Sequence, residues 1–491
     1  MTTPAPWAAL AETHSAIVVF TGDRAYKLKK PVKFDFLDFS TRERREEAAR
    51  REVALNRRLA PDVYLGVADV LDVDGAPCDH LVVMQRMPGD RRLSALIAAG
   101  AATDDDLRDL ARLLARFHAA AARTSATAAA GSPGVIAAKL ADDVDELQAF
   151  RGEILPADTL DEVMTRAARY VQGRTRLFEQ RVADGWVCDG HGDLMADDIF
   201  CLADGPRVLD CLDFSDELRY GDVLADVAFL AMDLEHRGAT DLATRFLELY
   251  DEFSGERHPA SLAEYYIAFR ALIRAKVSAL RAQQGDDEAL AHALELLDLA
   301  RDRLRHGRVA LVLVGGAPGT GKSTVAGGLA ASGSWVVLRS DVVRKELAGV
   351  DPHEHAPAAF GRGLYTPAAT SRTYAELLRR ARVALELGES VLLDASWSDA
   401  RWRADAARVA AATASELVEL RCDVDPRVAA ARIARRRATQ NDPSDADRNV
   451  AETLRSGASP WPSAIVVDTS GTVPEAVADA VRATTAGGAA R

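Results

Sequence analysis

Residues 309–323 read V-A-L-V-L-V-G-G-A-P-G-T-G-K-S. An apolar, β-branched run ends in a glycine-rich turn, and Gly316, Gly321, Lys322 and Ser323 stand at the spacing of a phosphate-binding loop. The glycines let the backbone curl so that successive N–H groups point inward. The helix expected from about Ser323 presents its positive end to the same anion. A helix terminus contributes only ~0.3–1 kcal/mol, too little to hold a triphosphate against water. Lys322 is therefore expected on the β- and γ-phosphates and the Ser323 hydroxyl on Mg²⁺. The full nucleotide-binding set is Gly316, Gly319, Gly321, Lys322, Ser323 and Thr324. The competing reading, a glycine-rich turn that binds nothing, is weakened by the strand before the loop and the helical pattern after it.

Downstream, W-V-V-L-R-S-D-V-V-R at 335–344 reads as a short strand followed by Asp341 and, one helical turn on, Arg344. V-L-L-D at 391–394 is an apolar strand ending in an acid, the Walker B arrangement that lets Asp394 hold Mg²⁺ directly or through water. Strands at 417–421 and 464–467, with helices between, complete a parallel-sheet pattern. Arg432, Arg435, Arg436 and Arg437 fall on one helix, where Arg432 and Arg436 share a face. His353 and His355 read as loop residues rather than metal ligands. Tyr365, Arg372 and Tyr374 either line an acceptor pocket or pack in the core.

A chain of 491 residues is too long for one ordinary core and predicts two or more domains. Its net charge of -13 argues against a constitutive nucleic-acid binder, which would carry a basic footprint. Five cysteines, without a C-x-x-C pair, suggest neither a disulfide framework nor a zinc knuckle, and fit a reducing cytosol. The first residues lack a basic region followed by an apolar core, and uncharged apolar runs fall short of a membrane span, which argues against secretion and membrane insertion. Lysine is scarce: of eight, at 27, 29, 30, 33, 139, 276, 322 and 345, four stand in the first 33 residues and one in the phosphate loop.

Residues 16–20 and 24–28 read as strands of a hairpin turned at Thr21-Gly22-Asp23, with Lys27 and Lys29 on one face. A charged helix is expected at about 40–59, further strands at 67–73 and 80–84, and a connector at 85–90. The rest to about 305 is mostly helical by period, interrupted at 119–134 by an Ala/Ser/Thr/Gly stretch that reads as a helix end and a loose loop. Within it, V-C-D-G-H-G-D-L-M-A-D-D-I-F at 187–200 and R-V-L-D-C-L-D-F at 207–214 flank a turn at Asp204-Gly205. The spacing suits metal-assisted transfer, in which one carboxylate accepts a hydroxyl proton while two other groups hold Mg²⁺.

On these residues, about 10–300 resemble the aminoglycoside-phosphotransferase-like branch of the protein-kinase fold. The resemblance implies Asp193 as catalytic base, Asp198 and Asp210 as metal ligands, Lys27 on the nucleotide phosphates with Lys29 as its rival, and Glu52 as the helix partner. It also implies Asp222 and Asp226 as a pair bracing the catalytic loop. Two departures stand out. Position 198, usually Asn, is Asp, and Thr13-His14-Ser15 would have to serve in place of a glycine-rich nucleotide loop. Two carboxylates ~4 Å apart repel by about 4 kcal/mol at an effective dielectric near 20, so this site either depends strongly on divalent metal or has kept binding and lost catalysis.

The module at about 308–485 resembles the small P-loop kinases related to polynucleotide kinase, gluconate kinase and zeta toxins. That resemblance implies Asp341 as a base, Arg344 as a substrate anchor, and Arg432 with Arg436 as lid arginines. The residues alone also permit an Asp341 cap with a surface ion pair, and a solvated arginine face. The order of the two modules resembles a bacterial family in which such kinases are fused. The expected architecture is a two-lobed α+β kinase-like domain at 1–306 (lobes about 1–85 and 86–306) followed by an α/β P-loop domain at 307–491 with a parallel sheet. The expected activity is ATP- and Mg²⁺-dependent phosphotransfer to a hydroxyl of a small molecule. The alternatives are a pseudokinase regulator fused to a P-loop ATPase, and a 5′-hydroxyl nucleic-acid kinase.

Overall fold

The computed structural model describes residues 7–13, 15–34, 37–351, 366–439 and 456–486, with side chains to 435 in the fourth segment and to 485 in the last. The chain forms two compact units. The first comprises Met1–Leu160, Glu179–His258 and Tyr266–Ala300, and the second Asp161–Phe178, Pro259–Tyr265 and Arg301–Arg491. Among the described residues, no helix is long and apolar enough to cross a membrane.

The first unit opens with a five-stranded antiparallel sheet in the order Ala8–Glu12, Ala16–Thr21, Arg24–Lys29, Pro77–Gln85, Tyr64–Leu71. The expected hairpin pairs Val18 with Lys27 and Ala16 with Lys29. The helix Arg42–Asn56, capped by the Thr41 hydroxyl, crosses this sheet and buries Arg45, Ala49, Glu52, Val53 and Asn56. These positions lie on one helical face, yet three of the five are polar. Such a face gains little from apolar burial, and its value lies in where it puts Glu52 and Asn56. Ala49 and Val53 pack with Ala25, Val63, Tyr64, Val82 and Met84 to hold helix on sheet.

Beyond that helix the unit is mostly helical, and two short antiparallel ribbons bear on the site. Ile199–Leu202 pairs with Gly205–Val208 across the expected turn, and Val187–Asp189 pairs with Tyr220–Asp222. Both feed the loops at 190–198 and 209–214. Behind them runs Val223–His236, buried at every position from 223 to 234. The stretch 119–134 corrects the loose-loop expectation: helices Ser125–Ala130 and Pro133–Leu147 form there. Thr124 and Thr127 make a reciprocal capping box and Pro133 occupies a first-turn position, so local capping and the helix propensity of alanine override the loop-like composition.

The second unit is built on a five-stranded parallel sheet ordered Val336–Arg339, Val391–Asp394, Ala310–Gly315, Glu416–Asp423, Ile465–Asp468. The central strand is wholly buried, as a continuous apolar run in a parallel sheet demands. Val314 is level with Asp394 and Gly315 with Arg421. The glycine loop and the acid thus emerge side by side at the carboxyl edge, where open α/β sheets bind ligands.

Candidate active sites

In the first unit, Glu52 is a junction. Its Oε1 lies 2.9 Å from Lys27 Nζ and its Oε2 2.8 Å from Lys29 Nζ. Lys27 also meets Asp210 Oδ1 at 2.8 Å, and Lys29 meets Asp213 Oδ2 at 2.7 Å. The strand alternation that puts both lysines on one face makes both partners of the helix acid. Lys27 is 19 % exposed and Lys29 only 5 %, so Lys27 is the one open to a ligand. Burial works against the Lys27 charge, but Asp210 and Glu52 outweigh it and hold the ammonium well above its usual range. Lys27 in turn holds Asp210 below the usual carboxylate range. An ion cluster of this kind seldom repays its desolvation as stability; what it provides is fixed geometry.

Asp210 adopts φ +61, a conformation rare for a non-glycine residue and costing ~1–3 kcal/mol. Two groups hold it there: Tyr64 Oη accepts its N–H at 3.2 Å, and Asn56 Oδ1 accepts the next N–H, of Cys211, at 2.8 Å. Asp193 follows the Val187–Asp189 strand on a loop fastened from behind. Asp226 accepts the N–H groups of His191 at 2.7 Å and Gly192 at 2.8 Å, with His118 Nε2 3.0 Å from the same carboxylate. Gly192 sits at φ +89, which L side chains rarely adopt, and a Cβ there would stand 3.1 Å from Leu212 Cβ. His191 Nε2 lies 3.0 Å from Leu209 O, which can only accept. Nε2 therefore carries the proton, and Nδ1 is left to accept the Asp193 N–H at 3.4 Å. Burial keeps this imidazole neutral.

Burial raises the Asp193 carboxyl against the pull of Arg274. Burial, then Asp210 and Asp193, raises Asp198 well above the ordinary value. A raised proton affinity suits a carboxylate that must take a proton from an alcohol. Asp198 and Asp210 offer the hard oxygen donors that Mg²⁺ prefers, and a cation there would relieve the repulsion that raises Asp198.

One expectation about this unit is revised. Asp222 does not brace the loop: it caps Val223–His236 through Leu224 N and takes Arg181 at 2.7 and 2.5 Å. It stands at the N-cap, one turn too early to reach the loop. The second brace is Asp233, which accepts the Ala196 N–H at 2.8 Å. Seven residues beyond Asp226, it lies on the same helical face, a spacing the sequence contained. Asp213, Asn56 and Tyr64 carried no motif signal. Of the 13–15 stretch, Thr13 caps Ala16 and His14 lies outside the described residues.

In the second unit, Gly316, Gly319 and Gly321 have φ of +142, +81 and +86. A methyl group on Gly319 would stand 2.6 Å from Ala429 O, so the loop requires glycine there for space as well as conformation. Lys322 and Ser323 begin the helix Lys322–Ala331, with Gly321 as its cap. They line a cleft of about 410 Å³ with Gly319, Gly321, Thr324, Arg432, Arg435 and Thr469 among its walls. Arg432 is tied to the loop, donating to Thr469 O at 2.7 Å while the Thr469 hydroxyl donates to Thr320 O at 2.7 Å. The side chain of Arg436 lies outside the described residues. Arg435, one residue away in the same run, also faces the cleft and was not singled out by the helix-face argument.

Asp394 is buried, bonded to the Ser323 hydroxyl, and lies near Lys322; burial still raises its carboxyl above the usual range. Its Oδ1 makes no hydrogen bond among the described residues. A buried carboxylate oxygen without a donor, beside a serine hydroxyl, fits a hard divalent cation. Asp341 begins the helix Ser340–Leu347 close enough to Asp394 and Tyr374 to act on both electrostatically. Arg344 is buried and donates to Thr370 Oγ1 at 3.3 Å. Tyr374 resolves to core packing: it is buried, stacks on Trp402 at 5.0 Å and bonds Ser396 Oγ at 3.1 Å. Arg372 is exposed. His353, His355 and Tyr365 lie outside the described residues.

A helix-crossed antiparallel sheet with a lysine–glutamate–aspartate chain, followed by a parallel sheet with a glycine cradle, defines a kinase-type phosphotransferase. The family model described as "Phosphotransferase enzyme family" matches residues 18–265, just over half the chain, and the chain belongs to that family. A model described as "AAA domain" matches residues 311–461. A Mycobacterium tuberculosis protein, named only as uncharacterized, is 42% identical over 469 residues, covering 96% of this chain and 94% of its own. Among solved structures, a choline/ethanolamine kinase family protein from Mesorhizobium loti matches at 15% identity and TM-score 0.38, over 61% of this chain and 88% of that one. A gluconokinase from Sinorhizobium meliloti matches at 17% identity and TM-score 0.26, over 37% of this chain and 91% of that one.

Proposed function

We propose that the chain moves the γ-phosphate of ATP, with Mg²⁺, to a hydroxyl of a small molecule, and that each unit carries its own transfer site. The observation that carries this reading is the second unit's convergence of three positive-φ glycines, Lys322, and a Ser323 hydroxyl bonded to a buried Asp394 whose Oδ1 makes no hydrogen bond among the described residues. Triphosphate binding needs N–H dipoles and a lysine for the phosphates, and oxygen donors for the metal. Mg²⁺, held by Ser323 and Asp394 in the second unit and by Asp198 and Asp210 in the first, supplies charge neutralisation on the transferring phosphoryl group.

The chain's own groups do the rest. In the first unit, Lys27 binds phosphate oxygens, and Asp193 Oδ takes the proton of the acceptor hydroxyl while His191, neutral and fixed, keeps the loop in place. In the second, Lys322 binds the phosphates, Asp341 takes the acceptor proton, Arg344 orients the acceptor, and Arg432 with Arg436 closes over the phosphates and excludes water.

A labelled-ATP screen over sugars, aminocyclitols, nucleosides and oligonucleotides tests the proposal, with wild type compared to Lys322→Ala and Asp193→Ala. Acceptor labelling lost in one variant and kept in the other assigns each phosphate to its site. Labelling unchanged in Lys322→Ala removes the second-unit assignment. A second reading, a first unit that binds nucleotide without transferring it, is favoured by Asp198 standing where the resembling family carries Asn. Under it, Asp193→Ala changes no acceptor labelling while ATP binding to the first unit persists.

A further inference from the structure

The first unit contains a cluster of ligating groups that shares no residue with either candidate active site. His236 ends the helix Val223–His236, and His292 and Glu295 stand one turn apart on Asp287–His306. We propose that His236, His292 and Glu295 form a zinc-type divalent-metal site. His236 Nε2 lies 2.9 Å from His292 Nδ1, and Glu295 Oε2 lies 3.7 Å from His236 Nδ1 and 3.9 Å from His292 Nδ1. One ligand atom from each residue falls within 4.8 Å of the others.

Tetrahedral ligands about 2.0–2.1 Å from zinc stand ~3.3 Å apart, and the 2.9 and 3.9 Å separations on His292 Nδ1 bracket that edge. His292 Nε2 faces Glu288 Oε1 at 3.7 Å. That gap is longer than a hydrogen bond, and closing it would make Glu288 the outer carboxylate that fixes the tautomer of a ligating imidazole. A shared proton between the two rings accounts for the 2.9 Å contact alone. It gives no role to the two carboxylates gathered from the same helix. Two imidazoles and one carboxylate favour zinc over Mg²⁺ or Ca²⁺, which take oxygen sets, and leave one position for water.

Placement gives the site a consequence. The helix that His236 terminates also carries Asp226 and Asp233, the two acids that fasten the Asp193 loop. An ion joining His236 to the Asp287–His306 helix staples the end of that brace.

Zn²⁺ titration of the full chain by calorimetry, in buffer holding excess Mg²⁺ to fill the hard-oxygen sites, tests the proposal. His292→Asn and Glu295→Gln run in parallel, with far-ultraviolet circular dichroism to verify folding; both positions are partly solvent-exposed, so the variants keep the core. Wild type is expected to take up one more Zn²⁺ than His292→Asn, and its Tm should climb with zinc concentration where that of His292→Asn does not. Glu288→Gln should weaken uptake by about 10–100-fold without abolishing it. Equal zinc stoichiometry and affinity in wild type and His292→Asn would overturn the site and leave a hydrogen-bonded histidine pair only.

Discussion

In the first unit, Lys27 and Asp210, 183 residues apart, meet at 2.8 Å above Glu52. In the second, residues 315–323 form the glycine loop and the start of its helix almost unaided, and one acid from the neighbouring strand completes the site. The first pocket is assembled from opposed side-chain charges, so removing Glu52 or Lys29 strands a buried partner. The second is assembled from backbone conformation, so a single added methyl group is enough to spoil it. A site made of paired ions is expected to fail through stability, and one made of N–H groups through function.

The largest effect should fall on the backbone-built site. Lys322→Ala is expected to cut labelled transfer from the second unit by about 10²–10³-fold, leaving first-unit transfer and the Tm in place. Gly319→Ala should match it, because its Cβ would stand 2.6 Å from Ala429 O. If either variant melts early instead of losing transfer, the contrast between the two sites fails.

Next come the two lysines on Glu52. Lys29→Met leaves Asp213 and one Glu52 oxygen buried without a cation, which should cost ~3–5 kcal/mol in denaturant unfolding. Lys27→Met, at the more open position, should lose nucleotide affinity with a smaller loss of stability. Equal unfolding midpoints for the two variants would show that Lys27 and Lys29 are not divided into ligand-facing and structural roles.

A smaller effect is expected at Asp198. Its folded pKa is raised by burial and by Asp210 and Asp193, so its contribution to stability is present near and below the ordinary value of 3.8 and is lost as pH rises. In metal-free buffer, Asp198→Asn should lose less stability with rising pH than wild type does. With Mg²⁺ it should preserve or raise first-unit transfer; complete loss of transfer would mark the carboxylate as indispensable. The smallest effect belongs to Asp251, which burial raises from 3.8 to about 6. Its stabilising share disappears as pH climbs through that window, and Asp251→Asn should flatten the Tm profile there. The side chain is 37 % exposed, so water screens most of the difference.

What could be read ahead of the fold divides along the same line. The glycine loop, Lys322, Ser323 and Asp394 were legible because their spacing is local or because an apolar strand ends on them. The hairpin bearing Lys27 and Lys29 was legible from alternation, but which lysine faces the opening was not. Asp222 was misassigned and Asp233 missed, since choosing among acids on one helix requires knowing which turn reaches the loop. The helix Ser125–Ala130 and the first turn of Pro133–Leu147 were missed because small residues carry little periodicity, and the capping pair that starts the first is short.

The sequence by itself determined the two modules, the parallel sheet and the glycine loop, because hydrophobic period and glycine spacing act over a few residues. The tertiary structure alone decided that Glu52 serves two lysines, that Asn56 and Tyr64 hold Asp210 in a left-handed turn, and that His236 meets His292 and Glu295. Those contacts join segments tens to hundreds of residues apart, and chain packing, which no local spacing encodes, brings them within bonding distance.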